Sequence, residues 1–569
     1  MSKSGRNASS ILASAMSGAT ILISVQLGSR LFIFASNQLI LRSLSPSVLG
    51  VAAQLELFLI SILYFSRESI RAAIQRQPLQ FVATYSDDNT GTDVVPLGKE
   101  LEGVELRAAS SQAIVNMAYL SIGMGIITAT AFATCYVQFA SVEVLGTPYY
   151  HISVATTTIA SLVELGSEPV FAVMQQYMLY SKRAAVEISA AFSKSLVTCG
   201  ISLWAVRFGH NLGALPFALG YLSYACTVFC GYSIVAVYQC KDWHFSLCLS
   251  RISASNNSTY IGGRFSWRLV TLSANVFFQS VVKHLLTQGD SMILAAMTSL
   301  QDQGIYSLAS NYGGLLARIL FQPIEESSRL IFSSLLNFKE RQKQVDNVAA
   351  AKNHLLTVMR GYMMITILIV PLGPALAPKA LHILGGRRWT APEVDGLLAL
   401  YCYYIPFLAF NGICEAFVSS TANPAELRKQ ALWMGLFSAC FALAAYIFLS
   451  MGGLGARGLV YANIVNMSVR IIWSYAFVRQ YLRQYNSDLA IEEFALRPAT
   501  YVACATAAVI LSGNHIDLNG DLLPFIAGIC YVLAVLYCER QHVIAYYNRV
   551  YQVLRSKYMG SKTEQIKVD

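Results

Sequence analysis

The residues of this chain that could do chemistry are charged side chains set within long apolar runs. The stretch ARILFQPIEESSR, Ala317 to Arg329, begins in such a run and then carries a glutamine, a proline, two glutamates and a second arginine. A charge at bilayer depth costs about 2.5–3.5 kcal/mol, so it usually faces a partner or a water-filled cavity. Cations in a cavity can bind anions. Arginine binds a phosphate through two parallel hydrogen bonds, and lysine acts as a point charge.

The cations of the predicted spans lie mostly in the first, second, seventh and eighth, which in a two-lobe carrier could line one cavity. We expect one set to line a cavity and bind an anionic substrate: Arg30, Arg67, Lys283, His284 and Arg318. The other set would make gating or structural contacts: Arg71, Glu164, Glu168, Asp290, Glu325, Glu326, Arg329 and Glu415. The alternative is that the charges only form structural bridges, Lys283 with Asp290 and Arg318 with Glu325. Pro169 and Pro323 would kink helices next to charged positions.

The elements that must position these residues are membrane-spanning helices. The chain has 569 residues, of which 55% are hydrophobic and 13% charged, and its mean hydropathy is +0.49. Apolar runs long enough to cross a bilayer recur from end to end, and they predict an all-α polytopic membrane protein with about 14 transmembrane helices. Strands of alternating polarity are not apparent, which argues against a transmembrane barrel.

The basic residues predict the orientation. Most of the 41 Lys and Arg residues fall in alternate loops, which places both termini in the cytoplasm. The formal net charge of +10 then suits the anionic lipid headgroups of that face, and nucleic-acid binding is not needed to explain it.

An internal repeat predicts the domain organisation. The segment Leu49–Arg71 resembles Gln303–Arg329, with Gly50 aligned to Gly304, and a second match aligns Glu168 with Glu415. Such repeats are typical of carriers, whose substrate site lies between two helical bundles. We therefore expect two pseudo-symmetric six-helix lobes around a central cavity, plus two C-terminal helices. The predicted parts are a first lobe (1–238) with a cytoplasmic loop (76–112), a cytoplasmic linker (239–268), a second lobe (269–478), an extra helix pair (479–540) and a basic cytoplasmic tail (541–569).

Three stretches resemble the Rft family of endoplasmic-reticulum membrane proteins. They are YSLASNYGGLLARILFQPIEESSR (Tyr306 to Arg329), KHLLTQGD (Lys283 to Asp290) and SRESIRAAIQR (Ser66 to Arg76). The family is similar to the multidrug/oligosaccharidyl-lipid/polysaccharide exporter superfamily, which implies two six-helix lobes around a V-shaped cavity and two extra helices. The resemblance also implies a role in N-glycosylation, with a dolichyl diphosphate carrying five mannoses and two N-acetylglucosamines as the substrate.

The resemblance implies roles for the charged stretch as well. Arg318 would meet the diphosphate, Pro323 would break the helix near its cytoplasmic end, and Glu325, Glu326 and Arg329 would make gating contacts. The long dolichol tail would stay in the lipid. Protein partners are not predicted beyond this lipid and the membrane lipids around it.

Two other functions stay open. A non-transporting accessory or scaffold protein of the same pathway would tolerate loss of the cavity cations. An ion-coupled small-molecule antiporter would instead depend on a carboxylate such as Glu164 or Glu168. An enzyme is not expected, because no phosphate-binding loop, HExxH motif or Ser-His-Asp arrangement is readable. The 12 cysteines are scattered and form no CxxC pair, so neither a catalytic site, a metal site nor a cofactor is predicted.

Overall fold

The computed structural model describes residues 38–75, 97–239, 245–252, 260–336, 341–385, 391–421, 424–512 and 522–541, apart from a few single positions. Most of the predicted first span, with Arg30, and most of the predicted tail 541–569 lie outside these residues. The described chain is almost entirely helical and divides into two compact units, Met1–Gly304 and Ile305–Asp569.

The first unit contains α1 (Pro46–Gln75), α2 (Leu97–Gln138), the single turn α3 (Val142–Leu145), α4 (Tyr150–Gly166), α5 (Glu168–Gln176), α6 (Tyr180–Phe208), α7 (Leu215–Gln239), the hairpin strands β1 (Tyr260–Ile261) and β2 (Phe265–Ser266), and α8 (Trp267–Met297). Helix α9 (Leu300–Leu316) starts in the first unit and continues into the second. Residues 97–112 of the predicted loop 76–112 are therefore helical.

The second unit continues with a π-helical segment (Ala317–Phe321), α10 (Gln322–Leu336), α11 (Arg341–Gly385), α12 (Pro392–Thr421), α13 (Pro424–Tyr446), a second π-helical segment (Ile447–Met451), α14 (Gly455–Arg483), a 3₁₀ turn (Ile491–Glu493), α15 (Pro498–Ser512) and α16 (Leu522–Cys538).

Membrane spans are numerous among the described residues. Seven helices are long and apolar enough to cross a bilayer, and there are eight if the bent helix Trp267–Met297 counts as one span. Two shorter apolar helices, Pro498–Leu511 and Ile526–Cys538, follow near the C-terminus. The predicted class, an all-α polytopic membrane protein, is confirmed, and the count of about 14 stays a prediction.

Helix α1 forms the core of the first unit. Val51, Leu55, Phe58 and Ile62 repeat at helical spacing and are each 0% exposed. This stripe packs among residues of α4 and α7, including Leu165, and α1 also contacts α2 and α8. Because α1 touches so many neighbours, several of its polar side chains, Gln54, Arg67 and Arg71 among them, are held against fixed partners.

The first unit extends to Gly304 and includes the predicted linker 239–268, and the predicted division into lobes stays a prediction. Helix α8, expected to open the second lobe, packs against α1. The linker itself is held by α2: Asn116 donates to the backbone oxygens of Ser250 and Arg264 at 2.8 and 2.7 Å, and Gln112 donates to that of Cys248 at 3.0 Å. These buried amides satisfy linker carbonyls, so the linker belongs to the first unit.

In the second unit, α12 packs against α10, α11 and α14. The predicted extra helix pair docks on α11, where Tyr531 of α16 donates to the backbone oxygen of Ile367 at 2.6 Å. The loop before this pair is also held by α11, since Lys352 lies 2.7 Å from the Glu493 carboxylate. The hydrogen bond from Lys352 lowers the pKa of Glu493 below its ordinary value.

The π-helical segment Ala317–Phe321 lies in the charged stretch Ala317–Arg329. Proline has no N–H, and its ring collides with the carbonyl four residues earlier. The turn before Pro323 widens into a π-helix, so α9 and α10 join without a break. The expectation that Pro323 breaks the helix is therefore wrong, although the proline does alter the turn that carries Arg318.

Candidate functional site

The most strongly charged cluster described in the first unit is a charge tetrad of Arg67, Arg71, Glu164 and Glu168. One Arg67 nitrogen, Nη1, lies 2.7 Å from Glu164 Oε1 and 3.2 Å from Glu168 Oε1. Arg71 donates through Nε to Glu168 Oε2 at 2.9 Å and through Nη2 to Oε1. The Glu168 side chain is 2% exposed and that of Arg67 20%. Two arginines thus face two carboxylates in a largely dry environment.

A break between α4 and α5 directs the carboxylates of Glu164 and Glu168 towards α1. Helix α4 ends at Gly166 and α5 begins at Glu168, with Pro169 in its first turn, where a missing N–H costs nothing. The Ser167 hydroxyl between them donates to the backbone oxygen of Glu164 at 2.7 Å. Glu168 therefore sits at a helix N-terminus, where the helix dipole favours a negative charge.

The tetrad carries no net formal charge. This bears on the predicted role of Arg67 as an anion-binding residue. Sequence reasoning assigns Arg67 to an anion-binding cavity and Arg71, Glu164 and Glu168 to structural contacts. The structure places all four together, with Arg67 held by two carboxylates. A guanidinium so engaged would have to leave both partners before it bound a phosphate, and separating buried ion pairs is costly.

Lys283 is in a different situation on α8. Its Nζ lies 3.6 Å from Glu68 Oε1, and its side chain is 69% exposed. The structural alternative paired it with Asp290, but the Asp290 carboxylate instead accepts the backbone N–H of Ser291 at 2.8 Å. This contact is longer than those of the tetrad and leaves most of the Lys283 side chain uncovered.

His284, next to Lys283, is buried. It is 1% exposed, its Nε2 lies 3.0 Å from the Ser61 hydroxyl, and its ring packs against Tyr64 and Phe65 at centroid distances of 4.6 and 4.8 Å. In this conformation the side chain joins α8 to α1 and does not reach solvent.

The second unit has its own charge pair. Arg470 of α14 lies 2.7 Å from Glu415 Oε2 on α12, and the Asn411 amide nitrogen donates to the same oxygen at 3.3 Å. The sequence pattern predicts no role for Arg470. Its position inside an apolar run was the available signal, but nothing in its spacing from neighbours pointed to Glu415.

The repeat alignment relates the two clusters. It pairs Glu168 with Glu415, and the same registers pair Arg67 with Glu325 and Glu164 with Asn411. At the position of Arg67 in the first unit, the second unit has Glu325. The positive charge that pairs with Glu415 comes from Arg470. Of the remaining predicted contacts, Glu326 accepts a hydrogen bond from Gln322 at 3.0 Å.

The predicted meeting of Arg30, Arg67, Lys283 and Arg318 in one cavity stays a prediction. Arg30 lies outside the described residues, and so does the side chain of Arg318, whose backbone belongs to the π-helical segment. Arg329 is exposed on α10, and its backbone oxygen accepts the Ser420 hydroxyl at 3.1 Å.

Two solved transporter structures share the fold of this chain. The chain is similar to a multidrug resistance MATE family transporter of the MOP superfamily in an inward-facing conformation, with a TM-score of 0.55 and 11% identity over 80% of this chain and 95% of that one. It is equally similar to the lipid II flippase MurJ in an inward closed conformation, with a TM-score of 0.55 and 12% identity over 92% and 100% of the two chains. At such identities the likeness shows the fold alone, that of multi-span transporters.

The family follows from the sequence comparisons. The model described as Rft protein matches residues 14–549, and the chain belongs to that family. Relatives named Man(5)GlcNAc(2)-PP-dolichol translocation protein RFT1 include those of Yarrowia lipolytica, 34% identical over 88% of this chain and 75% of the relative, Saccharomyces cerevisiae, 29% over 95% and 96%, and Mus musculus, 26% over 80% of each.

Proposed function

We propose that this chain takes part in translocating the dolichyl-diphosphate-linked heptasaccharide, with five mannoses and two N-acetylglucosamines, from the cytoplasmic to the lumenal leaflet of the endoplasmic-reticulum membrane for N-glycosylation. One observation carries the proposal: the chain belongs to the Rft family over nearly its whole length, and its relatives bear that translocation name. Alternating exposure of a binding site to the two leaflets is the mechanism that the transporter fold supports.

The chemistry of the substrate fits the charges of the chain. A diphosphate is anionic, and a cation that is not already neutralised offers it the better partner. By this criterion Lys283, which is 69% exposed and 3.6 Å from Glu68 Oε1, is favoured over Arg67, which lies 2.7 Å from Glu164. Arg318, in its widened helical turn, supplies the planar fork that suits a phosphate. We therefore assign the diphosphate to Lys283 and Arg318, with Arg30 as a further cation.

The membrane orientation that we propose follows from the positions of the basic residues. Both termini face the cytoplasm in this proposal, since the Lys and Arg residues concentrate in the loops of that side. The lipid-linked oligosaccharide and the surrounding membrane lipids are the partners, and no catalytic step is assigned to the chain.

One finding favours a second candidate, an accessory protein that assists translocation without binding the lipid. Of the five residues expected to bind the substrate, Arg67 is neutralised by carboxylates and His284 is buried. A scaffold would need neither residue to be free. The two candidates therefore differ in whether loss of Lys283 or Arg318 matters.

Replacing Arg318 by Ala should abolish N-glycosylation in cells that lack their own relative of this protein, while abundance stays near normal. Loss of a charge-assisted, two-pronged contact costs about 3 kcal/mol, or roughly a hundred-fold in affinity. Arg318→Lys should recover part of the activity, because an ammonium lacks the planar fork. The measurement is the glycosylation state of a reporter glycoprotein, together with the level of the variant.

The exposed Lys182 offers a matched control. Lys182→Ala removes one positive charge outside the proposed site and should leave glycosylation unchanged. Full glycosylation with Arg318→Ala and Lys283→Ala combined would reject the diphosphate role and support the accessory candidate.

A further inference from the structure

A proline interrupts the backbone hydrogen-bond ladder of α11. Proline has no N–H, so Pro371 cannot donate to the backbone oxygen of Ile367, one turn earlier in the same helix. This part of α11 lies in a segment that is long and apolar enough to cross a bilayer, and the bilayer core offers no water to replace a missing bond. The Ile367 oxygen therefore needs a donor other than the backbone N–H four residues later.

The extra helix pair, α15 and α16, supplies this donor. The Tyr531 hydroxyl of α16 donates to the Ile367 oxygen at 2.6 Å, and the Cys504 thiol of α15 donates to the same oxygen at 3.7 Å. The contact is enclosed in an apolar cluster, in which Tyr531 and Ile367 are each 5% exposed. A phenol hydroxyl thus takes the place of the N–H that Pro371 lacks.

The same part of the chain follows α11 over a longer distance. A Cβ built on Gly528 of α16 would lie 3.2 Å from the Leu372 side chain, so the two helices approach closely beside the proline. Two turns before Ile367, the Arg360 side chain donates through Nε to the backbone oxygen of Glu493 at 2.8 Å. Because residues seven apart share a helix face, the extra pair and the loop before it line one face of α11.

We propose that the extra helix pair is a releasable clamp on a proline hinge in α11. Pro374 and Pro378 follow Pro371 in the same helix, and each removes a further backbone bond, so this stretch bends more easily than an unbroken helix. While Tyr531 holds the Ile367 oxygen, α11 stays continuous, as it is here. Because Tyr531 belongs to another helix, its bond can open and free the turn while the rest of α11 stays folded.

The clamp is independent of the proposed function, because it requires no lipid-linked sugar. A double-mutant cycle on purified full-length protein tests it. Tyr531→Phe removes only the hydroxyl and should lower the Tm by roughly 2–5 °C. Pro371→Ala gives the Ile367 oxygen a backbone N–H, so Tyr531→Phe should lower the Tm much less in that background.

Two controls isolate this contact. Tyr537→Phe removes a hydroxyl from an exposed residue of the same helix and should melt like the wild type. Pro374→Ala restores an N–H that faces the backbone oxygen of Val370 instead of Ile367. In that background Tyr531→Phe should lower the Tm as much as it does in the wild type.

Hydrogen exchange reports on the hinge itself. Tyr531→Phe should speed exchange of the α11 amides within residues 368–376, while the amides of α14 keep their wild-type rates. Adding Pro371→Ala should restore slow exchange in α11.

Equal losses of Tm from Tyr531→Phe with and without Pro371→Ala would overturn the proposal. So would faster exchange spread evenly over the whole second unit. If Tyr531→Phe yields no folded protein, recovery of folded protein by Pro371→Ala supports the clamp, and failure to recover it rejects the clamp.

Discussion

Replacing Glu168 by Gln should destabilise the protein by about 3–5 kcal/mol, which is the usual cost of removing one partner from a buried ion pair. Glu168 is 2% exposed and accepts hydrogen bonds from both Arg67 and Arg71. The substitution leaves three nitrogen contacts facing a neutral amide and an excess positive charge at low dielectric. Thermal unfolding of the purified protein and its abundance in cells both measure the effect.

Glu187 supplies the control for this change. It pairs with Arg183 at 2.8 Å, four residues earlier on α6, and its side chain is 39% exposed. Glu187→Gln should cost about 0.5 kcal/mol or less, as is usual for a partly exposed helical pair, because the amide oxygen can still accept the Tyr232 hydroxyl, which lies 3.2 Å from Glu187 Oε1. If Glu168→Gln were as stable as Glu187→Gln, the tetrad would not hold α1 to the α4–α5 break, and Arg67 would return as a candidate ligand.

Replacing Gly304 by Val should be the most disruptive glycine substitution among the described helices. A Cβ at Gly304 would overlap the backbone oxygen of Pro46, and one at Gly50 would overlap that of Leu300. The two glycines let α1 and the first turn of α9 touch backbone to backbone, where Gln54 donates to Gln303 at 2.7 Å. Overpacking typically costs about 1–3 kcal/mol, and a backbone obstacle that cannot rotate away puts this site at the upper end.

Chemical denaturation in detergent can compare Gly304→Val with Gly361→Val. Gly361 lies within α11, and nothing is found within 4 Å of a Cβ built there. The control should unfold at nearly the wild-type denaturant concentration, and Gly304→Val well below it. Similar midpoints for the two variants would mean that the α1–α9 crossing is looser than the structure shows.

Much of the architecture could be predicted from the sequence, because it depends on the length of apolar runs and on residue spacing along single helices. Long apolar runs predicted the helical membrane class, and the spacing of Val51, Leu55, Phe58 and Ile62 marks a buried stripe of α1. The repeat also singled out Gly50 and Gly304, but as equivalent positions. That these two glycines contact each other depends on how distant helices cross, and residue spacing carries no such information.

The candidate sites show the same limit. Arg67 and Arg71 are four residues apart, and so are Glu164 and Glu168. These matching spacings are compatible with the tetrad, because a four-residue repeat on two facing helices lets charges pair in register, but they do not show that the two helices face each other. The Asn116 contacts to the linker could not be foreseen, since an amide that binds backbone carbonyls leaves no charge pattern.

The most direct test of the proposed function is exchange of lipid-linked oligosaccharide between leaflets in liposomes that contain only this protein. The labelled glycan in the outer leaflet is removed enzymatically, and the remaining label is followed over time. We expect the wild type to bring inner-leaflet glycan within reach of the enzyme, whereas Arg318→Ala should leave it protected as in protein-free liposomes. Protection equal to that of empty liposomes with folded wild-type protein would contradict direct translocation and favour the accessory candidate.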